Sequence, residues 1–169
     1  MKLHIGGTER KDGWVNLNIE PGDYVDILGD CQDLSQFADD SIEMIYASHV
    51  IEHLSYAKEL IPTLQEFRRV LQKPNGVLMI SVPDMEVLCR MFLNSGLKDR
   101  FEVMRIIMGG QCYPHDFHKS ALSYDILCEY LAHSGFSRIK RVDNFDLFND
   151  YSKTIYLGEK ISLNLEVYP

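Results

Sequence analysis

Two short apolar runs separated by an amphipathic segment constrain the fold more than any other feature of this sequence. The runs lie at 42–47 and 77–82, and each is as compact as expected for a strand covered on both faces of its sheet. Between them, apolar residues recur at the spacing of one buried helix face: Leu60, Leu64, Phe67 and Leu71. This arrangement predicts a strand, a helix and a second strand.

The remainder of the chain repeats this alternation, which indicates an α/β protein. Further strands are predicted at 3–5, 14–19, 24–28 and 139–142, with one or two more in the tail 154–167. Further helices are predicted over 85–108, with a break at 94–96, and around 124–131. We find no internal repeat and no linker, so residues 1–169 are expected to form a single domain.

Charge and cysteine usage narrow the classes of function. The net charge is −8, from 17 Lys and Arg against 25 Asp and Glu, which argues against a nucleic-acid partner and against docking on an anionic membrane. No apolar stretch is long enough for a transmembrane helix, and the first residues do not form a secretory signal. The four cysteines are far apart, so we expect reduced thiols in a cytoplasmic protein rather than disulfides or a zinc site.

Three segments together resemble the class I S-adenosylmethionine-dependent methyltransferases. They are FADDSIEMIYASHVIEHL at 37–54, RVLQKPNGVLMISVP at 69–83 and LAHSGF at 131–136. The resemblance implies a Rossmann-like, doubly wound, mostly parallel sheet with an antiparallel C-terminal strand, and S-adenosylmethionine as cofactor. It is strongest to a subgroup of small predicted methyltransferases, some linked to surface polysaccharide biosynthesis, which implies a small-molecule or glycan acceptor.

The sequence departs from that family at its beginning. Gly6 and Gly7 are followed by only six residues before Trp14, which is too short for a crossover helix between parallel strands. The usual first helix is therefore predicted to be missing, which leaves part of one sheet face uncovered. We expect a second protomer, in a homodimer, or the C-terminal tail to cover that face.

The resemblance places the cofactor contacts at the carboxyl ends of the first four strands: Gly6, Gly7, Asn18, Glu20, Asp30, Cys31, Ser48 and His49. Asn18 stands where the family has an acid for the ribose diol, and Glu20 is the expected substitute. Asp30, with Asp33 as its rival, would accept from the adenine amino group, and the backbone of Cys31 would bind the ring. Ser48 and His49 would face the methionine portion.

Catalysis is predicted for His49 and for two histidines of the loop 109–119, His115 and His118, because imidazole is the side chain that exchanges protons near neutral pH. Tyr113 and Asp116 are further candidates in the same loop. In the alternative interpretation, His49 only hydrogen-bonds a neighbouring loop, and His115 and His118 are surface residues without a chemical role.

Two other functions compete with methyl transfer. A methyltransferase-like module without catalysis would explain the shortened glycine loop and Asn18. The letters HVIEH at 49–53 also have the H-x-x-E-H form of a metallohydrolase. That chemistry needs the whole motif in a regular helix, whereas His49 is predicted to lie at a strand end, so no metal site is predicted.

Overall fold

The computed structural model describes residues 1–169 and is organised around one seven-stranded sheet. Its strands are β1 Lys2–Ile5, β2 Trp14–Asn18, β3 Ile27–Leu28, β4 Met44–Ser48, β5 Val77–Pro83, β6 Arg138–Val142 and β9 Ser162–Tyr168. A separate hairpin is formed by β7 Ile155–Tyr156 and β8 Glu159–Lys160. The strand order is β3-β2-β1-β4-β5-β9-β6, and only β9 runs antiparallel to its neighbours.

Four α-helices connect these strands: α1 Leu60–Val70, α2 Met85–Asn94, α3 Leu97–Met108 and α4 Tyr124–His133. Two 3-10 turns lie at Ile51–His53 and Tyr151–Lys153. None of the helices is long and apolar enough to cross a membrane. The predicted α/β class and the antiparallel C-terminal strand are confirmed, although β9 lies one place inside the edge of the sheet.

Local chemistry explains two of the element ends. Helix α4 ends as predicted, because Gly135 adopts a φ of 91° and lets Phe136 N donate to Leu131 O at 3.1 Å. The third strand is shorter than predicted. There, the Asp26 carboxylate accepts from Asn16 N at 2.9 Å and takes the place of a backbone partner, so regular pairing is confined to Ile27–Leu28.

One face of the sheet is wholly apolar. Alternate strand residues such as Leu3, Leu17 and Ile45 join a core of 26 buried residues, which α1 and α4 cover. This face carries most of the apolar burial, and it is the face that the helical periodicity of α1 predicts.

The opposite face is polar and aromatic, which is unusual for a mostly parallel sheet. It presents His4, Asn16, Tyr46, Ser81 and Asn164, all of them buried. The connection between β1 and β2 is only eight residues long and contains no helix, as predicted. A different element must therefore keep water from this face.

The ring cluster on this face is covered by residues 143–150, which we call the covering segment. Its Phe148 is buried against three rings, with centroid separations of 3.9 Å to His4, 5.1 Å to Tyr46 and 5.2 Å to Trp14. The expected cover, a second protomer or the tail 154–167, is therefore wrong for this face, because the connection between β6 and the tail occupies it. A homodimer stays a prediction.

Hydrogen bonds hold the covering segment at both ends. The Tyr46 hydroxyl donates to Asp150 Oδ2 at 2.6 Å, and the Asn164 amide donates to Asp143 O at 3.1 Å and to Ser152 O at 2.9 Å. Tyr46 and Asn164 thus anchor the segment that buries them.

Replacing Phe148 with alanine should lower the free energy of unfolding by about 3 kcal/mol or more, because it opens a cavity among three rings. Phe101→Ala is the matched control, since Phe101 is 59% exposed on α3 and should cost about 0.5 kcal/mol. Urea denaturation measures both. Equal losses in the two variants would contradict the role assigned to Phe148.

His4 should make stability depend on pH. Burial lowers the pKa of His4 from 6.5 to about 4, although the carboxylates of Asp150 and Glu9 oppose the shift. Between pH 6.5 and pH 4, the unfolded chain therefore binds a proton on His4 that the folded chain does not bind. The contribution of neutral, buried His4 to the free energy of unfolding is complete above pH 6.5 and is lost as the pH falls to 4. Between pH 7 and 4, the wild type should lose about 3 kcal/mol more stability than His4→Phe. Parallel curves of stability against pH for the two proteins would refute this.

Candidate active site

A cleft of about 570 Å³ lies beyond the carboxyl ends of β1 and β4, where the strand order reverses. This is the position at which doubly wound sheets bind ligands. Six of the eight residues predicted to contact a cofactor line it: Gly6, Asn18, Glu20, Asp30, Cys31 and His49. The loop after α3 forms another wall with Tyr113, Pro114, His115, Phe117 and Lys119.

Three predicted site residues do not line the cleft. The Gly7 carbonyl turns toward β2, where it accepts from the amides of Asn16 and Asn18. Ser48 shares its strand face with Tyr46, and its hydroxyl is buried there without a hydrogen-bond partner. His118 lies behind the cleft wall and is 11% exposed. These three placements correct the sequence prediction.

Gly6 is required by its conformation and by its neighbour. Its φ is 72°, and a Cβ at this position would lie 2.6 Å from Cγ2 of Val50. Its amide donates to Leu17 O at 2.8 Å, which continues the parallel ladder beyond β1. The absence of a side chain at Gly6 therefore lets Val50 pack against the end of β1 at the wall of the cleft.

The expected roles of Asn18 and Glu20 are changed by a local hydrogen-bond network. Asn18 Nδ2 donates to Gly7 O at 2.9 Å, and its Oδ1 accepts from Glu20 N at 2.9 Å. Asn18 is thus occupied in shaping the turn. Glu20 lies beyond the end of β2 rather than on it, with 46% of its side chain exposed at the cleft. Its carboxylate is the acceptor available there.

Asp30 both shapes its turn and faces the cleft. Its carboxylate accepts from Gln32 N at 2.9 Å and from Gln32 Nε2 at 3.1 Å, while the residue remains part of the lining. Its rival Asp33 caps Ser35 and does not line the cleft. Burial, reinforced by the Asp30 carboxylate, raises the pKa of the Cys31 thiol to about 12, so this side chain stays a thiol at neutral pH.

His49 stands at the strand end in the left-handed region, with a φ of 54°. Its Nδ1 faces Glu52 Oε1 at 3.1 Å, and its Nε2 lies 3.0 Å from Ser162 Oγ. Ser162 itself donates to Tyr151 O, so the imidazole nitrogen is the donor in that contact. With both nitrogens engaged by the protein, the geometry does not support His49 as a catalytic base, and the ring serves as a positioning element.

The loop 109–119 presents His115 rather than His118 to the cleft. His115 is half exposed, and its Nε2 lies 3.8 Å from Glu20 Oε1 across the opening. Asp116 is turned back into the loop, where Oδ2 accepts from Cys112 N at 3.0 Å, so it is excluded as a cleft residue. Burial raises the pKa of Tyr113, and the nearby Asp116 carboxylate adds to this effect.

Glu52 is a buried acid beside the cleft for which the sequence analysis found no role. It is 1% exposed and is surrounded by His49, His53 and His118. Burial alone would raise the pKa of Glu52, but the interaction with His49 and the charges of the other two histidines outweigh it and hold the pKa below the usual value. The H-x-x-E-H motif lies in a strand end and a 3-10 turn rather than in a regular helix, so it lacks the geometry of the metallohydrolases.

Comparison with known families agrees with this geometry. Residues 10–80 match the family described as a methyltransferase domain. No protein of curated function matches the sequence.

Solved structures share the whole fold. A methyltransferase dependent on S-adenosylmethionine from Archaeoglobus fulgidus aligns with a TM-score of 0.60 at 16% identity, over 99% of this chain and 85% of its own. A protein from Pyrococcus horikoshii aligns with a TM-score of 0.60 at 17% identity, over 99% and 81%. An S-adenosylmethionine-dependent methyltransferase from Mesorhizobium loti aligns with a TM-score of 0.59 at 12% identity, over 99% and 90%. At these identities the likeness shows the fold, and the family match covers residues 10–80.

Proposed function

We propose that this chain is a class I S-adenosylmethionine-dependent methyltransferase and that it methylates a small-molecule or sugar-containing acceptor. The observation that carries the proposal is the convergence of Gly6, Glu20, Asp30 and His49 on one cleft at the switch point of the sheet. The sugar-containing acceptor, and a place in surface polysaccharide biosynthesis, rest on the resemblance of the sequence to the small subgroup.

The cleft fits an adenosyl group in size and in donor chemistry. Its volume of about 570 Å³ lies within the roughly 300–1,000 Å³ of small-molecule sites. The bare backbone at Gly6 permits close approach, and the Glu20 carboxylate can accept from two ribose hydroxyls. Asp30 can accept from an exocyclic amine while its other contacts hold the turn. These residues replace the acid and the helix dipole that the family normally provides.

S-adenosylmethionine, when bound, supplies an electrophilic methyl group on a sulfonium, and transfer to the acceptor breaks the carbon–sulfur bond and leaves the neutral thioether S-adenosylhomocysteine. The chain must position the acceptor in line and remove its proton. His115 is the histidine best placed for the second task, because it lines the cleft and keeps half of its surface free. Phe117 and Tyr113 give the same wall an apolar surface for the acceptor.

A catalytically degenerate binding module is the second candidate. The observation that favours it is Asn18, which occupies the position of the ribose-binding acid and is already committed to Gly7 O and Glu20 N. Binding of S-adenosylhomocysteine separates the candidates. Saturation with this ligand at 100 times its dissociation constant should stabilise the enzyme by about 2.7 kcal/mol. The module would show no change in melting temperature.

Asp30→Asn and Glu20→Gln should each weaken S-adenosylhomocysteine binding by roughly 10-fold to 100-fold, because each removes a charged acceptor at the cleft. Isothermal titration calorimetry measures the loss. Asp33→Asn is the matched control, since Asp33 caps a turn on the same loop outside the cleft, and should bind as the wild type does. An unchanged affinity in both cleft variants would refute the assignment of these residues.

His115→Ala should leave S-adenosylhomocysteine affinity within about twofold and reduce kcat by roughly 100-fold or more, because a positioned general base contributes at least that much. A screen of hydroxyl-bearing small molecules and sugars with a labelled methyl donor identifies the acceptor to be used. His133→Ala, on the exposed face of α4, controls for loss of a surface histidine. Full turnover in His115→Ala would remove this residue as the base.

A further inference from the structure

We propose that Glu52, His53 and His118 form a site for one divalent transition-metal ion beside the cleft. One ligand atom from each of the three residues lies within 4.8 Å of the others. The set joins the 3-10 turn after β4 to the loop after α3 and differs from the pair of histidines in the H-x-x-E-H motif.

The first support is the state of the Glu52 carboxylate. Neither of its oxygens receives a hydrogen bond, although the side chain is almost wholly buried. Oε1 lies 3.1 Å from His49 Nδ1, and Oε2 has no partner. A buried carboxylate without directed partners is costly, and a bound cation would satisfy it.

The second support is the orientation of the two histidines. His53 Nδ1 lies 3.2 Å from Phe117 O, and His118 Nδ1 lies 3.2 Å from Ile107 O. Because a carbonyl can only accept, both Nδ1 atoms carry the proton, and Nε2 is the lone-pair nitrogen in each ring. Metal-binding histidines are fixed in this way, by a backbone carbonyl on the nitrogen remote from the ion.

The third support is the rigid frame that holds the ligands. Lys119 N and Ser120 N donate to Glu52 O at 2.8 and 3.0 Å, which ties the loop to the 3-10 turn immediately beside His118. His118 N donates to Met108 O at 3.1 Å. The two histidine rings lie 4.7 Å apart and nearly perpendicular, at 80°. His49 supports Glu52 from the other side.

The donor set selects the kind of ion. Two imidazoles and one carboxylate suit Zn²⁺, Co²⁺, Fe²⁺ or Mn²⁺, whereas Mg²⁺ and Ca²⁺ prefer oxygen ligands alone. Three protein ligands leave coordination positions open, as in catalytic rather than structural sites. His53 lines the cleft, so an ion held by these three residues would lie beside the space predicted for the acceptor.

A role for the ion in methyl transfer rests on the proposed function. An acceptor hydroxyl that coordinates at an open position would lose its proton more readily, because a divalent ion lowers the pKa of bound oxygen. The acceptor would then be an alcohol or polyol. The metal site itself does not depend on this role and can be tested without cofactor or acceptor.

The test is a titration of the full-length, chelator-stripped protein with Co²⁺ and Mn²⁺, followed by calorimetry and by the visible spectrum of bound Co²⁺. We expect binding of one ion per chain, with a spectrum of nitrogen and oxygen ligation. His118→Ala, His53→Ala and Glu52→Gln should each weaken it by about 100-fold or more, and His133→Ala should not. The histidine variants also cover the case in which Glu52→Gln fails to fold.

Several results would overturn the site. They are absence of one-to-one binding of either ion, undiminished binding in both His53→Ala and His118→Ala, and a thiolate charge-transfer band that assigns the ion to the exposed Cys89 or Cys112. Binding of S-adenosylhomocysteine by the metal-free protein is measured separately. Its failure would refute the proposed function and leave the metal result standing, and the reverse also holds.

Discussion

The polar face of the central sheet is the constraint on which the rest of this molecule depends. A parallel sheet normally places helices on both faces, but eight residues between β1 and β2 leave no length for the first of them. His4, Asn16, Tyr46 and Asn164 occupy positions at which such sheets have aliphatic side chains, and Phe148 closes over the ring cluster. The apolar side chains Phe145, Leu147 and Phe148, together with a few hydrogen bonds, therefore cover a face that a helix normally covers.

The missing helix after β1 also determines which side chains are free at the ligand edge, the edge of the sheet formed by the carboxyl ends of β1 to β4. Without a helix after β1, the turn at Gly6 and Gly7 is held by the amides of Asn16 and Asn18, and Asn18 is thereby withdrawn from ligand binding. The carboxylates left at the opening are Glu20 and Asp30. On the other side of the switch point, His49 lines the cleft while its two ring nitrogens contact Glu52 and Ser162. The histidine to which we assign proton removal in the proposed function therefore lies on the loop after α3.

The pattern of apolar residues was sufficient to predict the helices and the main strands. Gly135 predicted the end of α4, and the short connection before Trp14 predicted the missing crossover helix. The sequence could not show which face of the sheet Ser48 occupies, because a shift of one position along a strand moves a side chain to the opposite face. It could not show that Asn18 was already hydrogen-bonded, since both partners are backbone groups. The grouping of His118 with Glu52 and His53 was also out of reach, because spacing along the chain suggests His49 instead, and only the folded loop brings His118 near.

The turn at Tyr151–Lys153 contacts both the covered polar face of the sheet and the ligand edge. Asp150, at its start, binds Tyr46 beneath the covering segment, and Tyr151 accepts from Ser162, the partner of His49. A local opening that frees Phe148 would therefore also release the support of His49 and Glu52, while the apolar face under α1 and α4 stayed intact. The cover of the polar face and the support of the ligand edge therefore depend on one short turn.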